Sequence, residues 1–92
     1  MEEPPQHGGG VTVTRRVVVP PRAVCAGLSI RQVNLRPETN VTVLGLEREG
    51  RVFHNPESEM ILREGDTLIL FGTSVETGRA IELLSRLSSD PV

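Results

Sequence analysis

Ninety-two residues, 37% of them hydrophobic, fit one small domain and exclude a second, because a chain this short buries only about 60% of the surface its unfolded form exposes. A formal charge of -2 provides no basic field for a duplex or an anionic membrane. With no Trp or Tyr, and Phe53 and Phe71 as the only aromatic residues, a stacking platform for single-stranded nucleic acid is excluded as well.

In chain order, residues 1–10 combine charge, Pro and a Gly triplet with no apolar residue after Met1, so they read as a disordered tail or linker. The stretch VTVTRRVVV from Val11 to Val19 alternates with period two and predicts a strand whose inner face carries Val11, Val13, Val17 and Val19; Pro20-Pro21 ends it. Leu28-Ser29-Ile30-Arg31-Gln32-Val33 opens a short helix. Ser29 serves as its cap, Gln32 reaches back, and Arg36-Pro37 stops it, since the residue before Pro avoids the helical region.

Val41–Arg48 and Arg51–Phe53 form a hairpin about Glu49-Gly50, and Asn55-Pro56-Glu57 breaks its second strand. Thr67–Gly72 follows the polar turn Arg63-Glu64-Gly65-Asp66. Being almost continuously apolar, it predicts a central strand covered on both faces. Thr73 and Glu76 form a second capping box, after which Ala80, Ile81, Leu84 and Leu87 recur at helical spacing and should lie on the sheet. Residues 89–92 read as a frayed end.

Catalytic and metal chemistry find little support in these residues. His7, His54 and Cys25 match no ligand spacing for a structural metal. No nucleophile elbow is present, and the Gly8-Gly9-Gly10 triplet opens no helix, so it is no phosphate loop. The expectation is a non-enzyme without metal or cofactor. The lone Cys25 cannot form an internal disulfide, and no apolar segment reads as a secretion signal or a membrane span, so the cytoplasm is the expected compartment.

One ordered series of signals stands out. A strand ending Val17-Val18-Val19-Pro20 precedes Gly27-Leu28-Ser29-Ile30 and Leu35-Arg36; Val41–Arg48, the turn at Gly50, Asn55-Pro56 and Gly65-Asp66-Thr67-Leu68-Ile69-Leu70-Phe71-Gly72 follow. Over residues 14–87 this resembles the TrkA-type C-terminal regulatory domain, the C-lobe of the RCK module of potassium channels and cation antiporters. The resemblance implies an α+β fold in which a small, mainly antiparallel sheet carries two helices in the order β-α-β-β-β-α, pairing as a dimer. The domain so implied is expected to span residues 11–88. Asn40 stands where the family often has Gly, and Asn tolerates a left-handed turn.

The resemblance further implies a cytoplasmic ligand-binding and dimerisation domain of a potassium or other cation transport system, with a second copy and a membrane channel or antiporter subunit as partners. Neither nucleic acid nor direct membrane insertion is implied. An effector domain of a transcription regulator and a purely structural dimerisation module are the alternatives. Several domains of this type bind cyclic di-AMP across the dimer two-fold. Mapped by motif, Arg36 would hold a phosphate, Thr42 stands where an Asn commonly donates, and Ile30, Val41 and Val43 would offer apolar contact. For Arg36 the alternative is a surface arginine paired with Glu38. The pairing surface is expected to include Ile30, Val33 and the hairpin from Val41.

Overall fold

The computed structural model describes residues 10–88. The expected tail and frayed end lie outside them, apart from Gly10. Seven elements follow in order: β1 (Thr12–Val18), α1 (Ile30–Val33), α2 (Leu35–Thr39), β2 (Thr42–Arg48), β3 (Arg51–His54), β4 (Thr67–Thr73) and α3 (Ser74–Leu84). All strand pairs are antiparallel in one four-stranded sheet of order β1-β4-β2-β3, so the α+β architecture stands as expected.

Local chemistry sets the helix starts. Ser29 accepts from the backbone N–H of Gln32, whose side chain accepts from the Ser29 N–H, and Thr73 and Glu76 make the same reciprocal pair at α3. Each box satisfies two amides that an isolated helix leaves unpaired. Asn34, with φ of 62°, ends α1 in the left-handed region, yet the chain resumes as α2 through Arg36-Pro37. The expected stop at Pro37 is thus corrected. Pro37 occupies the first turn of α2, where the amide it lacks would have had no helical partner. Asn40, with φ of 66°, then terminates α2, as an Asn in place of Gly allows.

Glu49 and Gly50 both have positive φ, as a tight two-residue hairpin turn between twisted strands requires. In β2 the pairing with β4 runs Val43 to Leu70 and Gly45 to Ile69, leaving Leu44 as a bulge.

The core lies between α3 and one sheet face, where Val17, Val19, Leu46, Leu62, Leu68, Leu70, Ala80 and Leu84 are buried. Three expectations change here. Val11 precedes β1, 82% exposed, and Val13 is only half-buried, so burial on this face of β1 is complete only at Val17. The face of β4 carrying Ile69 and Phe71 is half-buried: α3 packs on the opposite face alone, and the exposed ion pair Arg16–Glu47, from the two strands flanking β4, lies on this open side. Leu87 lies beyond α3, exposed, in an isolated bridge with Ala23. No helix among the described residues is long and apolar enough to cross a membrane.

Candidate functional site

The segment after β3 returns along α1. The Ile30 N–H donates to the Met60 carbonyl at 3.0 Å and the Arg31 N–H to that of Ser58 at 2.8 Å, while Leu62 exchanges bonds with Gly27 and Leu28. This stitching holds the 56–58 loop beside the helical segment and leaves a groove of about 370 Å³ between that loop, α1–α2 and the start of β2. Leu35, Val41 and Val43 form its apolar floor, Ile30, Pro37 and Pro56 its flanks, and Arg31, Asn34, Arg36, Thr42 and Ser58 its polar lining.

All five residues singled out from the sequence line this groove. Arg36 is exposed, with the adjoining backbone fixed by its own carbonyl, which accepts from the Asn40 N–H at 2.7 Å. Thr42, Ile30 and Val43 are half-buried, whereas Val41, 1% exposed, supplies floor and almost no contact surface. Val33, expected on a pairing surface, points instead into the core and is unavailable to a partner. Ile30 remains at the groove.

Arg31, Asn34, Pro56 and Ser58 were not legible as site residues. Arg31 follows Ile30 directly and is the one charged residue of α1, which is the one sequence signal that marks it. Pro56 and Ser58 reach the groove only because the chain folds back on α1 after β3. The Arg31 Nε donates to the Glu59 carboxylate at 3.1 Å in an exposed ion pair. A second concavity of about 520 Å³, lined by Phe53, His54, Asn55, Glu57 and Met60, adjoins the groove at Pro56, and Arg51 lies 5.4 Å over the Phe53 ring.

The strongest electrostatic feature lies away from the groove. Asp66, almost fully buried, accepts from Arg48 Nε at 2.8 Å, from Arg48 Nη2 at 2.6 Å and from the Arg63 N–H at 2.8 Å. These charge-assisted bonds raise the Arg48 guanidinium above its ordinary value, against the opposing effect of its burial. Arg48 also donates to the Ile61 carbonyl. The pair therefore locks the polar turn before β4 onto the end of β2 and contributes architecture. Among the described residues no group of three His, Cys, Asp or Glu side chains is placed to hold a metal.

Comparison with known proteins agrees with this architecture. A probable potassium channel protein of Methanocaldococcus jannaschii is 37% identical over 59 residues, covering 64% of this chain and 17% of that protein. The RCK domain of GsuK superposes with a TM-score of 0.67 at 31% identity, over 79% of this chain and 16% of that one. The RCK_C domain dimer of S. agalactiae BusR in complex with c-di-AMP gives a TM-score of 0.72 at 21% identity, over 77% of this chain and 93% of that one. A longer BusR chain, of which this chain covers 35%, is in complex with its busAB-promotor DNA. This chain spans only about a sixth of the length of the potassium channel relative. The family model of the TrkA-C domain matches residues 14–85, nearly the whole described sheet and all three helices, and the chain accordingly belongs to the TrkA-C domain family.

Proposed function

We propose that this chain is the cytoplasmic regulatory domain of a potassium or other cation transport system, acting as a homodimer whose effector occupies the groove, and that the effector is cyclic di-AMP. The observation that carries the reading is the convergence of Ile30 from α1, Arg36 from α2, and Val41, Thr42 and Val43 at the start of β2 on one apolar-floored groove. Arg36 presents a guanidinium fork to a phosphate oxygen pair, Thr42 contributes a hydroxyl, and the Ile30 and Val43 side chains cover a base. Two such grooves about a two-fold axis match a two-fold symmetric dinucleotide. Binding across that axis favours one arrangement of the two copies over others, and the difference in binding energy is what a membrane partner would feel.

Calorimetry with cyclic di-AMP is expected to give one ligand per dimer. Arg36→Ala should abolish the heat while the sedimentation of the dimer stays the same. No heat with ligand at about 100 µM, or binding that survives Arg36→Ala, overturns the assignment of this effector to this groove.

The similarity to BusR, found with promoter DNA, favours a second reading in which the same domain senses an effector for a transcription regulator. The higher identity to the channel relative supports transport. Flanking coding sequence separates them: several transmembrane helices in the parent protein fit transport, and a winged helix fits the regulator.

A further inference from the structure

We infer that Arg31 is a second anion-binding guanidinium of the groove and that Glu59 is a built-in competitor which an incoming anion displaces. The inference rests on the reading that the groove takes an anionic effector. Arg31 lines the groove together with Arg36, so two forks face one apolar floor. The backbone of Arg31 is pinned by its bond to the Ser58 carbonyl, whereas its side chain is 69% exposed and joined through Nε to a Glu59 that is 63% exposed.

That combination suits exchange. An ion pair so open to water is screened and holds its partners by a factor of only about two to five. A phosphodiester offers the guanidinium two oxygens at once, with the geometry a planar fork matches, and so outcompetes the contact made through Nε alone. Only the Arg31 side chain has to turn, since its backbone is already fixed. Glu59 therefore sets a threshold: a ligand bound only through apolar contact leaves the pair intact, while an anionic one must replace it. The ligand class is a phosphate-bearing molecule with a flat apolar part.

The test titrates wild type, Arg31→Ala, Glu59→Gln and Glu57→Gln with cyclic di-AMP by calorimetry, and with inorganic pyrophosphate while following the Arg31 and Arg36 Nε–Hε signals by NMR. Both Arg31 and Glu59 are exposed, so neither substitution threatens the fold. Glu59→Gln is expected to tighten binding about two- to five-fold and Arg31→Ala to weaken it about ten-fold or more. Arg31→Ala combined with Glu59→Gln, titrated in the same way, should match Arg31→Ala alone, because Glu59 acts only through Arg31. Glu57→Gln removes an equal charge from the same loop without touching the pair and should change little. Equal tightening by Glu57→Gln would reduce Glu59 to a general field effect and overturn the inference, as would cyclic di-AMP affinities unmoved by Arg31→Ala and Glu59→Gln. If cyclic di-AMP gives no heat while pyrophosphate shifts the Arg31 signal, the effector assignment falls and the two-fork site stands. If neither probe moves Arg31, the two-fork site falls.

Discussion

Asp66 shows how one side chain can tie together segments that share no strand. Removing its carboxylate leaves the Arg48 guanidinium partly buried without its main partner and the Arg63 N–H without its acceptor. Asp66→Ala should therefore cost about 3 kcal/mol or more, the range for breaking a buried pair from one side, and Asp66→Asn less, because an acceptor for Arg63 remains. Urea unfolding at an unchanged slope measures both, and a loss under about 1 kcal/mol for Asp66→Ala would mean that water replaces the lost bonds. Cys25 gives a prediction of the opposite kind. Burial pushes its thiol up, with a bond from its own backbone opposing and the Asp66 charge adding to the rise. A raised folded value favours the neutral thiol, so its contribution is complete below the ordinary thiol range and is lost as pH rises through the folded value. Stability measured from pH 7 upward should fall more steeply above about pH 8.5 in wild type than in Cys25→Ala. Parallel profiles would show that the thiolate is tolerated inside.

β4 is the element on which the molecule depends, because it pairs on both edges and supplies Leu68 and Leu70, both fully buried, to the α3 side. Leu70→Ala should cost about 2–5 kcal/mol by the lost burial and the cavity left behind, read from the urea midpoint; a loss under about 0.5 kcal/mol would mean the site collapses freely. Elements decided within three or four residues were legible in the sequence. The Ser29–Gln32 and Thr73–Glu76 boxes, the Glu49-Gly50 turn and the left-handed Asn40 each follow from near neighbours. What depends on partners far along the chain was not. Val43 and Leu46 pair with Leu70 and Leu68, which share a face, although residues three apart in a regular strand point to opposite faces. The bulge at Leu44 resolves this by resetting the alternation, and it is what turns Val41 and Val43 inward and Thr42 outward at the groove. Gly45 within Val-Leu-Gly-Leu is the one local sign of a bulge, and it does not say that Leu44 is the extra residue. The same limit hid α2, whose first turn accommodates Pro37, and the return of the 56–58 loop that builds the far wall of the groove.

For the whole molecule, a core of mainly aliphatic side chains and an open sheet face with exposed Val18 and Val52 favour a partner. Sedimentation at micromolar concentration should give a species of twice the 10.0 kDa chain mass, and a monomer alone would remove the dimer from the proposal. The sheet order has a further consequence. Among the described residues β1 is the first strand, yet its sheet partner β4 is the last, with Thr12 opposite Thr73 and Val18 opposite Thr67. During synthesis at about 5–20 residues per second, β1 emerges several seconds before β4, its partner in this sheet. Through that interval a valine-rich segment of high β propensity stands exposed beside others like it on neighbouring ribosomes. Arg15 and Arg16, adjacent at the middle of the strand and exposed in the finished fold, place like charges opposite one another in self-pairing registers centred on them. Arg15, which interrupts the valine ladder, and Arg16 beside it on the other face thus oppose pairing of the nascent chain with its own copies until Thr73 has been made.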